Sequence, residues 1–138
     1  MGAPISAFVL HRRVQFPETD ASGIVHFTNF FKYVEEAEHA MWRAVGLSIS
    51  PRDAAVKWPR VSASLEFRRP LHFEDEFDVH LKVAELRARS IRYAVVLRKE
   101  DEVIAEGTLT IACAVREGGR LRSADIPPDI AARFAVAG

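Results

Sequence analysis

Asp20 stands in "ETDASGIVHFTNFF", just before Gly23 and ahead of a run that reads as a helix. A carboxylate there has two uses. It can cap, accepting from an amide two residues on in an Asx turn or from the free amides that open a helix. It can also react: the unpaired N–H groups and positive dipole end at a helix start stabilise an oxyanion while a carboxylate attacks the carbonyl or draws a proton from water. Spacing alone allows both. His26 is a hydrogen-bonding partner for Asp20 or for a bound acyl group, or equally a capping or packing histidine.

Other residues with chemical potential are weaker. Glu36 and His39 have the i, i+3 spacing of di-iron ligands, but such sites need a second pair and further glutamates on other helices. A solvated helix face is expected, and no metal. Cys113 alternates with Leu109, Ile111 and Val115 and has no neighbour in sequence to lower its pKa, so it belongs to the core. As the sole cysteine it excludes an intrachain disulfide. Arg87, Arg89 and Arg92 cluster around "RARS", and Arg116, Arg120 and Arg122 follow the last strand. Guanidiniums bind phosphates bidentately, and they also simply solubilise turns. Arg68 and Arg69 in "RRPL" read as a strand end.

The elements that must hold these groups show in the periodicity. Phe30, Val34, Ala37, Met41 and Ala44 or Val45 recur at three- and four-residue steps, predicting a helix from about Asn29 to Val45 with Gly46 as its stop. Four later segments alternate with period two: Val61 to Phe67, Phe77 to Val83, Ile91 to Leu97 and Val103 to Val115. An earlier strand, Phe8 to Phe16, is less clean, and "IPPDIAARF" predicts a turn or two of helix. Short charged connections imply antiparallel neighbours. No linker or repeat divides residues 1–138, so one domain is expected. A helix with one apolar stripe, in a chain whose other apolar surface is a sheet, must be wrapped by that sheet. The expected fold is therefore α+β, a five-stranded antiparallel sheet around one long central helix, the hotdog shape. So few strands leave open edges, which pairing with a second copy would cover.

Nineteen basic residues balance nineteen acidic ones, which removes a general electrostatic case for nucleic acid or membrane surface as partner. Charges break every apolar run short of the ~20 residues of a membrane helix, and "MGAPISAFVLHRRVQF" lacks a signal-type core. A cytoplasmic location is expected.

The stretch "ETDASGIVHFTNFFKYVEEA" resembles the signature of the 4-hydroxybenzoyl-CoA thioesterase family of the hotdog superfamily, through Asp20, Ala21, Gly23, Ile24, Val25, His26, Phe27, Asn29, Phe30 and Glu35. "VSASLEFRRPLHFEDEFDVHLKV", "ELRARSIRY" and "GRLRSADIPPDI" extend the likeness over nearly the whole chain. The resemblance implies an acyl-CoA thioesterase with Asp20 as catalytic carboxylate and the Phe27 backbone amide polarising the thioester carbonyl. It implies a substrate site at Gly23, Val25, His26 and Phe30, with Glu35 as a supporting acid or merely a solvated one. It also implies coenzyme A held near Arg87, Arg89, Arg120 and Arg122, with no cofactor beyond the coenzyme A of the substrate, and a homodimer paired into a dimer of dimers, with sites between subunits. Relatives often carry hydrogen-bonding aromatics where this chain has Phe27 and Phe30, and phenylalanine donates no hydrogen bond. That favours an apolar acyl or aryl group. Two rivals are an acyl-CoA or acyl-carrier binder without catalysis and a hydroxyacyl dehydratase, whose "GHFPG"-like motif is absent.

Overall fold

The computed structural model describes residues 2–138. Its elements run β1 (Ala7–Arg13), a 3-10 turn (Phe16–Glu18), α1 (Thr28–Ala44), β2 (Val56–Lys57), β3 (Arg60–Phe67), β4 (Glu76–Leu86), β5 (Ser90–Lys99), β6 (Glu102–Ala112), β7 (Ala114–Glu117), β8 (Arg120–Ser123) and the one-turn α2 (Pro128–Ala131).

Period-two alternation puts Phe77, Val79, Leu81 and Val83 of β4 and Ile91, Tyr93, Val95 and Leu97 of β5 on one buried face. The five long strands pair antiparallel in the order β1-β4-β5-β6-β3. Across that face lies α1, burying Phe30, Tyr33, Val34, Ala37, Met41 and Trp42. Each large apolar side chain so buried contributes about 1.5–3 kcal/mol. The result is the sheet-wrapped helix of a hotdog fold.

Three expectations change. The Val103–Val115 strand breaks at Cys113, and its continuation as β7 joins β2 and β8 in a second, three-stranded sheet; β8 is a further strand beyond the one expected to be last. The first strand ends at Arg13, because the chain must turn at Phe16–Glu18 to reach the helix. Finally, β3 has its apolar residues on the expected face but does not bury them: Val61 is 59% and Phe67 47% exposed. It is an edge strand, and α1 does not cover its outer half.

One buried acid escaped the periodicity altogether. Glu38 is fully buried on α1 and receives Arg60 of β3 at 2.5 Å. Trp42 Nε1 donates to the Tyr93 hydroxyl at 2.9 Å beside it. Burial pushes the Glu38 carboxyl up, with the Arg60 charge and the Tyr93 hydroxyl opposing. A buried pair of this kind fixes the helix in register on the sheet more than it adds net stability. The far end of α1 is folded back on its last turn. Gly46 takes φ +80°, the Gly46 and Leu47 amides donate back to the Arg43 and Trp42 carbonyls at 3.0 Å each, and Arg133 Nη1 donates to the Val45 carbonyl. Among the described residues no helix is long and apolar enough to cross a membrane.

Candidate active site

The segment from Val14 to Phe27 is tied down at both ends. Val14 N–H donates to the Asp75 carbonyl at 2.9 Å and Val25 N–H to the Leu71 carbonyl at 2.8 Å, so the loop is docked on the approach to β4. Between them the chain reverses sharply. Gly23 N–H donates to the Asp20 carbonyl at 3.0 Å and Asp20 N–H to the Ile24 carbonyl at 2.8 Å. Gly23 has φ +81°, a left-handed conformation that costs a residue with a Cβ roughly 1–2 kcal/mol.

Asp20 is exposed, and its Oδ1 accepts from Ser22 N–H at 2.8 Å. The Asx turn weighed from the sequence is therefore present. It does not exclude chemistry, since it engages Oδ1 and holds the carboxylate in one orientation at the mouth of the loop. Next along the chain, Phe27 adopts φ −55° and ψ −30° and opens α1. Among the described residues no backbone acceptor is bonded to the Phe27 N–H. A helix start with its first amide unspent is a ready anion site.

His26 lies against the first residue of the helix: its Nδ1 is 2.7 Å from Thr28 Oγ1 and 3.4 Å from the Thr28 amide nitrogen. The ring packs on Phe27 with centroids 4.8 Å apart.

Beside this turn opens an apolar cavity of about 340 Å³, walled by Ile24, Val25, Phe27, Phe30 and Phe67 and rimmed by Arg68, Arg69 and Pro70. Phe67 stands edge-on to Phe27 at 6.3 Å and to Phe30 at 5.1 Å between centroids. Of the predicted site residues, Val25, Phe27 and Phe30 line this cavity, Gly23 lies in the Asp20 turn itself, and His26 stacks on Phe27. Phe67 was read only as a core residue of its strand, and Arg68 and Arg69 only as its end; their place on the rim follows from β3 lying next to the helix start, which one strand's periodicity does not reveal. Arg68 is paired with Glu66 and Glu106 and Arg69 with Glu102.

Other predicted residues lie elsewhere. Glu35 sits two helical turns beyond Phe27, roughly 12 Å along the axis, where it pairs with Arg60 at 3.3 Å. There it lines a second cavity of about 220 Å³ with Phe31, Val34, Ala63 and Leu109. Arg87 and Arg89 lie past the end of β4 farthest from the Asp20 turn; the strand's 11 residues span roughly 33 Å at ~3.3 Å each. Arg87 pairs with Glu85, Arg89 with Asp125 and Arg122 with Glu117, while Arg120 is exposed on β8. Glu36 is taken by Arg12 at 2.8 Å, and among the described residues no group of three or more His, Cys, Asp or Glu side chains converges to hold a metal. Cys113 is buried, which pushes its thiol up and away from reactivity.

An antiparallel sheet wrapped around one long helix is the arrangement of hotdog-fold proteins. A family model described as the thioesterase-like superfamily matches residues 14–134, and the chain belongs to that superfamily. It is 39% identical over 112 residues to a candidate esterase of Aquifex aeolicus (strain VF5), covering 80% of this chain and 87% of that one. Over 95 residues it is 34% identical to a 1,4-dihydroxy-2-naphthoyl-CoA hydrolase of Parasynechococcus marenigrum (strain WH8102), covering 62% of each. Among solved structures, a gentisyl-coenzyme A thioesterase superposes with a TM-score of 0.80 at 32% identity, over 88% of this chain and 98% of that one.

Proposed function

We propose that the protein hydrolyses acyl-CoA thioesters, with an aromatic or other apolar acyl group seated in the cavity beside Asp20. The observation that carries this reading is a held carboxylate on a turn whose Ile24 lines an apolar cavity, with Phe27, whose N–H has no backbone acceptor among the described residues, lining the same cavity. The carbonyl oxygen of the thioester points to the Phe27 amide, which lies at the positive end of the α1 dipole. Asp20 then either attacks the carbonyl carbon, expelling the thiolate and leaving a mixed anhydride that water cleaves, or removes a proton from water as that water attacks. Both routes consume one water and give the free acid and coenzyme A. Phe27, Phe30 and Phe67 offer faces and edges to an aryl ring but no hydrogen-bond donor for a ring hydroxyl. The relatives named as hydrolases of aromatic acyl-CoA esters support the aromatic choice.

The working unit in this reading is a homodimer joined along β3, itself paired into a dimer of dimers. Exposed Val61 and Phe67 on the edge strand support it. Antiparallel pairing of β3 with its copy brings the arginine-bearing end of the second copy to the same end of the joined sheet as Asp20. Arg87, Arg89, Arg120 and Arg122 would thereby serve the nucleotide of coenzyme A across the interface, although a strand's length separates Arg87 and Arg89 from Asp20 of their own chain.

The test is a panel of aromatic, short-chain and long-chain acyl-CoAs assayed with wild type and Asp20→Asn. Turnover of aromatic members by wild type, lost in Asp20→Asn, is the expected result. Binding of acyl-CoA without turnover by wild type would leave the non-catalytic alternative standing.

A further inference from the structure

Two residues before Asp20, the Glu18 side chain accepts four hydrogen bonds. Its Oε2 accepts from Arg12 Nη2 at 2.5 Å; its Oε1 accepts from the Gln15 amide at 2.7 Å, the Tyr33 hydroxyl at 2.8 Å and Arg12 Nη1 at 3.1 Å. Its own carbonyl accepts from His26 N–H at 2.9 Å and from Asn29 Nδ2 at 2.9 Å. Arg12, reaching in from β1, is in turn gripped by Glu36 of α1 at 2.8 Å and lies 4.9 Å over the Tyr33 ring.

These contacts join three things that the proposed reaction needs in fixed relation. The side chain of Glu18 anchors to β1 and, through Tyr33, to α1. Its carbonyl holds the residue immediately before the Phe27 amide and, through Asn29, the first turn of the helix. Its backbone leads directly into Asp20, with Thr19 bridged to Val25 across the turn. We propose that Glu18 is the positioning residue of this site, setting the distance between the Asp20 carboxylate and the Phe27 amide. The proposal rests on the thioesterase reading above. It assigns Glu18, Arg12 and Tyr33 no contact with the substrate; they act through the turn and the helix start.

A role confined to stability would lower the melting temperature and leave the kinetics of the folded enzyme alone. The experiment therefore compares Glu18→Gln and Tyr33→Phe with Arg133→Ala, which loosens the opposite end of the same helix. Steady-state kinetics on the best aromatic acyl-CoA, affinity for coenzyme A itself and melting temperature are measured for each. Displacing reacting groups by about an ångström costs on the order of 100-fold in rate. Glu18→Gln is accordingly expected to lower kcat by roughly 10- to 100-fold, with KM and coenzyme A affinity within about twofold of wild type. Tyr33→Phe, which removes one bond to Oε1, is expected to lower kcat by roughly 3- to 10-fold and decides the matter should Glu18→Gln not fold. Arg133→Ala is expected to melt earlier with kcat unchanged. Arg12→Lys, keeping the charge but not the fork, should recover part of what Arg12→Ala loses.

Full kcat in both Glu18→Gln and Tyr33→Phe overturns the proposal, as does a loss of kcat in step with melting temperature on the line that Arg133→Ala defines. If Asp20→Asn is dead while the Glu18 and Tyr33 variants are fully active, only the positioning role falls. If wild type cleaves no acyl-CoA, the thioesterase reading falls and this proposal with it.

Discussion

The two ends of α1 are built to opposite specifications. At the C-terminal end three devices that satisfy a helix end are in use: Gly46 in the left-handed conformation, two amides folded back on the last turn, and Arg133 on the Val45 carbonyl. At the N-terminal end the chain stops short of completion. His26 Nδ1 reaches Thr28, yet among the described residues the Phe27 N–H has no backbone acceptor, and an exposed carboxylate is held in the turn that precedes it in the chain. The rigidity withheld from those two groups is supplied around them, by Glu18 with Arg12 and Tyr33. In the proposed reading the C-terminal end serves stability and the N-terminal end serves chemistry, so damage at each should register in a different measurement.

The strongest way to break the contrast is Phe27→Pro. Proline suits the φ of −55° found there and removes the amide hydrogen. Loss of one oxyanion donor costs about 10²- to 10³-fold in kcat. Phe27→Ala, which keeps the amide, should retain most of kcat and shift specificity among acyl groups; equal losses in the two variants would show that the ring and not the amide is responsible.

Gly46→Ala strikes the other end. A Cβ at φ +80° is strained by roughly 1–2 kcal/mol, which for a chain of 138 residues lowers the melting temperature by several degrees, about 3–5 °C per kcal/mol. Calorimetry should show that fall, and kcat at 25 °C should not change.

The smallest effects are in the pH dependence of stability, where two acids of the same helix region have opposite signs. Burial pushes the Glu18 carboxyl up, but Arg12, the Gln15 amide and the Tyr33 hydroxyl outweigh it and hold it below its ordinary value. Its contribution is thus present above the ordinary carboxylate value of about 4.3 and disappears as pH falls through the lowered folded value. The melting curves of wild type and Glu18→Gln should converge in acid. Glu38 is raised, so its contribution is full below the ordinary value and is lost as pH rises through the folded one. Wild type should therefore lose ground to Glu38→Gln on that ascent. Parallel curves across the range would contradict both assignments.

Much of this molecule is legible in the sequence, and the parts that are not share a cause. Helical and strand periods gave α1 to within a residue at each end and found the long strands, because each period records which face of one element meets the core. Gly46 and the Asp20–Gly23 turn are legible for the same reason, being local. Exposure of Val61 and Phe67 is not local: it depends on β3 being an edge, which is fixed by which strands pair. Nor does any period distinguish Glu38, buried against Arg60 and Tyr93, from the exposed Glu35 three residues earlier. Glu18 was likewise passed over within "ETD" because its partners come from β1 and α1, far apart in sequence. The separation of Arg87 and Arg89 from the Asp20 turn appears only once β4 is seen to run the full length of the sheet between them.

The central claim is that Asp20 performs chemistry and is more than the cap of an Asx turn. It is tested by the kcat of Asp20→Asn on the aromatic acyl-CoA that wild type cleaves best, since asparagine keeps the acceptor for Ser22 N–H and loses only the carboxylate. A fall of about 10³-fold or more at unchanged melting temperature is the predicted result. A variant that turns over at the wild-type rate would contradict it, and would return Asp20 to the role of a turn residue.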